Sequence, residues 1–410
     1  MPVLSRTLTE DDLYGLPKTA SFTWDKSQSS PAALGSAARV VTSVHAKMRR
    51  CVVSDAGVVQ YYLLDTDSTK KANGDLAVLT GADGQVMVEI PKFYTRLETN
   101  GSALIWSISE VELPGYALHP AFLKDGVQVP YRYIGAYDAC YWDATDSTYK
   151  SGLNLEDLTA SLDLANDKLA SVSGIYPIVG VTRAECRSLA ANRGAGWRQL
   201  DFYLMTAVQL LYVIEYQSFF SQNILGAGNT NGTYLASSAN QTDSPHTIAG
   251  ASNSLGNGST NITTGAGVSA KPGTSFMSYR GIENFYGNAW TWVDGVNINV
   301  LANGNVHVTN DSVYFADDTA TGMQLLTSSL TTASNYVRDV VPLATAFLPN
   351  NVTGGSSTTY LTDYYFGSTS ANRVLGFGGS ADYAATAGVF CLIANNSSAN
   401  SGRLSARLAR

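Results

Sequence analysis

The most apolar stretch of the chain, FYLMTAVQLLYVIEY from Phe202 to Tyr216, limits what this chain can fold into. As a helix it has no polar face, so other parts of the core must surround it. It is shorter than the ~20 residues of a membrane span, and it contains Gln209 and Glu215. Asp201 precedes it and can cap it by accepting a hydrogen bond from a free backbone N–H. The sequence therefore predicts a fold built around a buried helix, with no membrane insertion.

A second helix is predicted just before this one. The segment Thr182–Glu185 forms a capping box, in which the threonine hydroxyl and the glutamate carboxylate each accept a backbone N–H of the first turn. The helix should run from Arg183 to about Asn192. Gly194 can then take the left-handed conformation that ends it.

Glycine-containing turns divide much of the remaining chain into short β-rich runs. Asp55-Ala56-Gly57 separates two such runs, and Asn100-Gly101 is the strongest short-range signal for a hairpin. The turn Ala82-Asp83-Gly84 precedes the alternating strand pattern Val86–Ile90, which Pro91 limits. Few helices and many strands predict the α+β class.

Charged residues make up only 14% of the 410 residues, against about 25% in ordinary soluble domains. The formal net charge is −7, and the chain lacks the Lys and Arg stripe that nucleic-acid phosphates require. Ser, Thr, Asn, Gly and Tyr supply the polarity instead, which suits extracellular or particle-borne proteins. The N-terminus has charges and Pro where a secretory signal needs an apolar run. We therefore expect synthesis in the cytoplasm and use outside it.

The sequence offers no recognisable metal site or redox motif. The four cysteines are isolated from one another, so we expect buried free thiols at Cys51, Cys140, Cys186 and Cys391. The four histidines lie in unrelated contexts without a metal-ligand spacing. The run Asp65–Thr69 begins like a calcium loop but lacks its later glycine and glutamate. We expect no metal and no cofactor.

Two tryptophans mark the most distinctive motif, GNAWTWVDG. Trp290 and Trp292 are two residues apart and should share one face of a strand, after a tight turn at Gly287-Asn288. Paired aromatic side chains of this kind are typical core anchors. We expect both to be buried and to pack near the helix Phe202–Tyr216.

This motif resembles the Gly-Asn-x-Trp-x-Trp strand of the C-type lectin fold in formylglycine-generating (sulfatase-modifying) enzymes and in variable receptor-binding proteins of diversity-generating retroelements. Thr182–Leu211 is similar to the two-helix segment of that domain, and Gly376–Leu408 is similar to its closing pattern. GQVMVEIPKFYTRLE and PGYALHPAFLKDG resemble segments that precede such domains in phage tail-tip proteins. Together these matches cover roughly residues 50 to 410, in the expected order.

The resemblance implies an architecture and a location. It implies an α+β, C-type lectin-like fold with two helices and short antiparallel sheets, spanning residues 81–410, after an N-terminal arm and β-hairpin region at 1–80 for attachment and oligomerisation. Residues 217–281 would be a Ser/Asn/Gly-rich surface insertion, and 376–408 the ligand-binding segment. The chain would belong to a phage tail, form a homotrimer and contact other tail proteins.

An enzymatic role is not expected. The related oxidases need two reactive cysteines that bind copper just after the Gly-Gly-Ser pattern, but here Ala381–Ala385 follow Gly378-Gly379-Ser380. The Glu-Pro-Asn and Gln-Pro-Asp motifs of calcium-dependent lectins do not occur in the sequence. Two alternatives stay open: an enzyme of this type whose catalytic residues have drifted, and a structural decoration protein of the virion.

The expected function is attachment to a host-cell surface receptor, a protein or a glycan, through the C-terminal segment. Tyr and Phe offer contact area with few torsions, while Asn, Ser and Thr offer adaptable hydrogen bonds. An ordinary polar loop with one core phenylalanine is the competing interpretation. We expect side chains that contribute little to stability, with Tyr383 as the anchor. The candidate ligand-binding residues are Ala381, Asp382, Tyr383, Thr386, Phe390, Leu392, Asn395, Asn396, Ser397, Ser398 and Asn400.

Overall fold

The computed structural model describes six parts of the chain: residues 15–27, 39–151, 162–232, 246–263, 275–398 and 403–410. Of the expected N-terminal arm, residues 1–14 and 28–38 lie outside these parts, whereas Phe22 and Trp24 are buried in the main hydrophobic core. The described parts form a mixed fold with few helices and many antiparallel strands in several sheets. Their four α-helices are α1 (Ser43–Ala46), α2 (Arg183–Ala191), α3 (Phe202–Tyr216) and α4 (Ser221–Leu225).

The two longer helices begin where the sequence predicts. The Thr182 hydroxyl accepts the Glu185 N–H, and the Glu185 carboxylate accepts the Thr182 N–H at 2.7 Å, which completes the capping box of α2. The Asp201 carboxylate accepts the Leu204 N–H at 2.9 Å and caps α3. Local hydrogen bonds therefore mark the first residue of both helices.

The strands of the described residues are short and are numbered here in chain order. The first fourteen are β1 (Thr19–Asp25), β2 (Arg49–Val53), β3 (Val59–Leu64), β4 (Asp67–Lys71), β5 (Gln85–Pro91), β6 (Tyr94–Asn100), β7 (Ala103–Ser109), β8 (Ala117–Leu118), β9 (Leu123–Lys124), β10 (Val127–Gln128), β11 (Tyr131–Gly135), β12 (Cys140–Asp143), β13 (Thr148–Lys150) and β14 (Lys168–Ala170). The others are β15 (Arg198–Gln199), β16 (Thr260–Thr263), β17 (Ser275–Tyr279), β18 (Ile282–Glu283), β19 (Trp290–Ile298), β20 (Val306–Val308), β21 (Gln324–Thr327), β22 (Asn335–Tyr336), β23 (Asp339–Val340), β24 (Pro349–Asn351), β25 (Tyr364–Phe366), β26 (Arg373–Phe377), β27 (Leu392–Asn396), β28 (Leu404–Ser405) and β29 (Leu408–Ala409).

Two large sheets organise these strands. One has seven strands in the order β15-β29-β11-β5-β2-β3-β4. The other has eight, in the order β21-β20-β19-β26-β27-β25-β22 with β28 beside β19. Smaller sheets surround them, including the four-stranded β1-β7-β6-β8 and the three-stranded β13-β12-β14. The C-terminal strand β29 thus lies beside strands from the first half of the chain.

The turns predicted from the sequence are confirmed. β2 pairs with β3 across the Asp55–Gly57 turn, where Gly57 has φ 79°. β6 pairs with β7 across Asn100-Gly101, where Gly101 has φ 58°. Glycine takes these positive φ angles without the steric cost that a side chain would bring.

The helix α3 lies inside the larger hydrophobic core, and every residue of it except Tyr216 is buried. Its two polar interior residues have partners. The Gln209 side-chain amide donates to the Val389 carbonyl at 2.7 Å, and the Glu215 carboxylate accepts two hydrogen bonds from Arg280 at 2.6 and 2.8 Å. Burial alone would raise the pKa of Glu215, but the Arg280 charge lowers it to about 2. The predicted buried helix is confirmed.

The two motif tryptophans are buried, but they pack beside α2 rather than beside α3. Trp290 and Trp292 belong to a second core with Cys186 and Leu189 of α2, and the Trp292 indole N–H donates to the Val181 carbonyl at 2.9 Å. The reason is the alternation of β19, because Val293 points to the opposite side and joins the core around α3. The strand β19 lies next to α3 as expected, but the two tryptophan side chains pack in the core on its other side.

Two expected boundaries do not match the described structure. Strands β2 to β4 precede residue 80, yet they hydrogen-bond within the same sheet as β5 and the C-terminal β29, and β1 pairs with β7. The strands before residue 80 are therefore not structurally separate from residues 81–410. The described parts of 217–281 are not a surface layer either. Phe219 and all of β17 are buried, because a few large apolar side chains stand among the small polar ones.

Candidate functional site

The C-terminal segment is divided between the core and the surface. β27 lies in the middle of the eight-stranded sheet, antiparallel to β26 and parallel to β25. A 3₁₀ turn at Ala384–Thr386 precedes it, and its last residues emerge at the protein surface. The exposed parts are therefore the turn region and the end of the strand.

Three of the predicted ligand-binding residues have buried side chains. Ala381, Phe390 and Leu392 are each at most 2% exposed. The Phe390 ring packs on Phe219 and Phe347, with centroid distances of 5.0 and 5.2 Å. Leu392 lies in the central strand β27, and the turns before this strand place Ala381 and Phe390 inside as well, so none of the three side chains is presented at the surface.

Asp382 is held by an ion pair rather than left free. Its Oδ2 accepts hydrogen bonds from Nε and Nη2 of Arg403 at 2.9 and 2.8 Å, and its Oδ1 accepts the Ser380 hydroxyl at 2.6 Å. A two-point arginine contact of this kind fixes the carboxylate in one orientation. It anchors the start of the segment to the chain near the C-terminus.

Tyr383 is half-buried, and its ring makes two edge-to-face contacts. The ring centroid lies 5.0 Å from Trp290 and 5.5 Å from Phe366. The Thr386 hydroxyl donates to the Tyr383 carbonyl and closes the turn. The tyrosine is packed against the second core, so we no longer expect its replacement to leave stability unchanged.

Four half-buried aromatic side chains form a continuous row, which we name the aromatic ridge. Neighbouring ring centroids are 5.2, 4.5 and 5.5 Å apart along the row. Tyr365, between two of its members, points to the other side and is 1% exposed. The members of the aromatic ridge are Tyr336, Tyr364, Phe366 and Tyr383.

The end of β27 adds polar groups beside the aromatic ridge. Phe366 pairs with Ile393, and Asn395 follows on the same face two residues later. Asn395 and Ser397 are exposed, whereas the Asn396 side-chain Nδ2 is buried with no partner among the described residues. The Ser398 hydroxyl donates to the Asp317 carboxylate at 2.7 Å. Asn400 lies outside the described residues.

One buried acid lies between the aromatic ridge and the core. Asp363 precedes Tyr364, is 2% exposed and accepts the Phe390 N–H at 2.8 Å. Burial raises the pKa of Asp363 to about 8. Near neutral pH it therefore takes part in packing largely as a neutral acid.

The Gly287-Asn288 motif forms a buried polar junction. Asn288 has φ 62°, and its side chain donates to Asp138 at 2.7 Å while accepting from Asn229 Nδ2 at 2.9 Å and from the Thr247 N–H at 2.7 Å. A Cβ on Gly287 would lie 2.8 Å from the Asn229 carbonyl oxygen. The motif thus joins the segment before β19 to parts of residues 217–281.

The possible metal ligands and the thiols of the described residues are scattered or buried. Within the described residues, no three His, Cys, Asp or Glu side chains form a group that could hold a metal ion. All four cysteines are buried and free, as the sequence predicts. Burial raises the pKa of the Cys391 thiol well above its ordinary value, so it is a poor nucleophile.

The sequence interpretation missed three of the four ridge residues: Tyr336, Tyr364 and Phe366. The run Tyr364-Tyr365-Phe366 carried a usable signal, since alternation in a strand places its first and third rings on one face. Nothing local to Tyr336 indicates that it pairs with Tyr364. That pairing joins chain segments nearly thirty residues apart.

No protein-family model matches the chain, and no curated protein matches it significantly. Among the helices of the described residues, none is both long enough and apolar enough to cross a membrane.

Proposed function

We propose that this chain is a receptor-binding protein of a phage tail, which attaches the virion to a bacterial surface molecule through the aromatic ridge and the neighbouring polar residues of the C-terminal segment. The observation that carries the proposal is the row of four half-buried rings beside the exposed Asn395. Rings held in place by a sheet offer contact area without a large loss of conformational entropy on binding.

The position of the aromatic ridge supports recognition rather than packing alone. Tyr364 and Phe366 come from a strand next to β27, and Tyr383 comes from the turn that leads to it. A rigid sheet thus fixes the spacing of the rings, while the turn and the end of β27 supply groups that can vary without changing the sheet. Aromatic side chains in such positions are frequent hot spots of interfaces.

The C-type lectin-like fold is part of the same proposal. Its support is the sequence resemblance, together with the order of α2, α3, the tryptophan strand β19 and the closing strands β26 to β29. An enzyme of the related oxidase type has weaker support, because its chemistry needs reactive thiols and Cys391 is buried. An experimental structure that aligns poorly with C-type lectin domains would remove this part of the proposal.

Homotrimer formation and attachment to other tail proteins extend the proposal to the virion. Several linked sites raise avidity by up to about 10²–10⁴ without any new contact, which benefits a protein with one small binding surface per chain. Light scattering of the full chain at micromolar concentration should report a trimer. A monomer would contradict this part without affecting the binding surface.

Binding of the labelled protein to a panel of bacterial strains tests the central proposal. Replacing Tyr336 and Tyr364 together by Ala should reduce binding to the recognised strain at least tenfold, which corresponds to about 1.4 kcal/mol. The matched control is Tyr131→Ala, which removes a tyrosine that is 43% exposed in β11, outside the aromatic ridge. Unchanged binding by a folded double variant would overturn the proposal.

A further inference from the structure

A second surface feature, separate from the aromatic ridge, lies where α2 ends. It is a cleft of about 660 Å³ between the turn after β2, the loop before β5 and the β12–β13 hairpin. Its volume is within the range of about 300–1,000 Å³ that is typical of small-molecule sites. None of the residues that line it belongs to the aromatic ridge.

The floor of the cleft is a row of three side chains from neighbouring strands. Trp142 pairs with Tyr149 on one side and with Lys168 on the other. The Trp142 and Tyr149 rings meet edge to face, with centroids 4.9 Å apart. All three residues line the cleft, so the indole is the central surface of this floor.

Trp142 differs from the other tryptophans of the chain. All six lie in the described residues, and five of them are at most 4% exposed, while Trp142 is half-buried. A large apolar side chain with part of its surface in a cleft can stack against a ligand ring.

A buried arginine beside this floor has unused hydrogen-bonding capacity. Arg193 is 4% exposed, and it donates from Nε to the Leu169 carbonyl at 2.7 Å and from Nη1 to the Asp55 carboxylate at 2.5 Å. Its Nη2 is buried with no partner among the described residues. An unpaired buried donor costs free energy. A ligand oxygen would recover this cost once a small movement of the Arg193 side chain brings Nη2 to the cleft.

The wall opposite is a loop held close by glycine. A Cβ on Gly81, where φ is 96°, would lie 2.3 Å from the Tyr149 hydroxyl oxygen, so only glycine lets the loop approach this ring. The same loop carries Asp83, whose carboxylate accepts the Tyr61 hydroxyl at 2.8 Å and lines the cleft. The loop therefore places a carboxylate and backbone groups next to the aromatic floor.

The charges of the cleft balance. Asp55 and Asp83 are matched by Lys168 and Arg193, and Asp55 pairs with both cations. A balanced set of carboxylates and cations gives no net attraction for phosphates or polyanions. It does supply both acceptors and donors for hydroxyl groups.

We propose that the cleft at Trp142 binds a short neutral saccharide, whose ring stacks on the indole and whose hydroxyl groups bond to Asp83 and Arg193. An aromatic floor, hydrogen-bonding groups of both kinds and no net charge suit a ligand that is apolar on its ring face and rich in hydroxyls at its edge. This site goes beyond the proposed function of the aromatic ridge and does not depend on it.

An array of neutral and anionic oligosaccharides, probed with the full-length protein, tests the proposal. We expect binding to one or more neutral glycans, at least tenfold weaker in Trp142→Ala and unchanged in Tyr131→Ala. The recognised free saccharide should shift the tryptophan emission of the native protein, and this shift should be lost in Trp142→Phe. Because Trp142→Ala removes a packed ring and can lower stability, Asp83→Ala is tested as a second variant. We expect glycan binding by Asp83→Ala to be several-fold weaker.

The outcomes separate this site from the aromatic ridge. If the variant lacking Tyr336 and Tyr364 loses the glycan while Trp142→Ala keeps it, the glycan belongs to the aromatic ridge and the cleft proposal is wrong. Binding of anionic glycans alone, or of no neutral glycan, also overturns it. Loss of glycan binding in Trp142→Ala together with normal binding by the ridge variant supports the cleft, whatever the ridge variant does to bacterial strains.

Discussion

Two groups of aromatic side chains in this protein have similar distances between rings but differ in their exposure to solvent. Around Phe219, the rings of Trp24, Trp106 and Phe390 lie 5.0 to 6.2 Å from its centroid, and all are at most 2% exposed. Along the aromatic ridge, neighbouring centroids are 4.5 to 5.5 Å apart, yet all four rings are half-buried. The distances between rings therefore do not distinguish a core from a binding surface. The exposed fraction of rings that a sheet holds in place does.

The largest expected difference between the two groups is in stability. Phe219→Ala removes the ring at the centre of the buried group and should lower the free energy of unfolding by about 3–5 kcal/mol, as large aromatic truncations in cores do. Tyr364→Ala should cost much less, because its ring is already partly in water. Urea denaturation of both variants measures the difference. Equal costs would show that the aromatic ridge is a part of the core.

Tyr383 lies between these extremes, since its ring contacts the buried Trp290. Tyr383→Ala should lower the free energy of unfolding by about 2 kcal/mol through lost burial and lost edge-to-face contacts. Tyr383→Phe keeps the ring and should keep the stability. If the alanine variant unfolds like the native protein, the original expectation of a residue decoupled from packing is restored.

The stability of the protein should depend on pH through Asp363, which lies between the two groups of rings. The pKa of Asp363 is about 8 in the folded protein, against an ordinary value of 3.8. Between pH 4 and pH 8 the folded protein therefore keeps the Asp363 proton, whereas the unfolded chain has lost it. Stability from this group is present below pH 4 and is lost as the pH rises towards 8. Asp363→Asn should be at least about 1 kcal/mol more stable than the native protein at pH 8 and similar at pH 4.

Thermal unfolding of the native protein and of Asp363→Asn across this pH range provides the measurement. The difference in stability between the two proteins reports on Asp363 alone. Other acids with raised pKa values, such as Asp138, whose pKa burial raises to about 6, contribute equally to both proteins. A difference that does not change with pH would mean that Asp363 is ionised throughout.

The smallest expected effect is at the exposed end of β27. Asn395→Ala and Ser397→Ala should each change the free energy of unfolding by less than about 0.5 kcal/mol, because exposed side chains without special contacts contribute little. Binding to the recognised bacterial strain should fall in both variants if these residues extend the aromatic ridge. A clear loss of stability would place them with the core group.

Much of the local structure was predictable from short stretches of sequence. The capping box at Thr182 and the cap at Asp201 start α2 and α3 as expected, and the glycine turns at Gly57 and Gly101 close hairpins. The buried state of α3 followed from its composition. In each case the deciding interaction is between residues a few positions apart, or is the simple absence of any polar face.

Which side of each sheet faces which helix, and which residues reach the surface, could not be predicted in this way. Trp292 faces α2 rather than α3 because of the side of β19 that each helix covers. The spacing of residues in the sequence shows only that alternate residues lie on the same side of a strand. The burial of Phe390, two residues before β27, depends on its contacts with Phe219 and Phe347 from distant parts of the chain. Residues before position 80 joined the main sheet because β2 pairs with β5.

By itself, the sequence of this protein determined where its two longer helices begin, where two of its hairpins turn and which helix had to be buried, because those outcomes rest on local hydrogen bonds and on side-chain composition. The short helices α1 and α4 were not predicted. Only the tertiary structure decided which rings meet. The aromatic ridge draws on strands β22 and β25 and on the turn before β27, and the cleft at Trp142 draws on five separate segments. Pairing between distant strands sets these positions, and no short stretch of sequence contains that information.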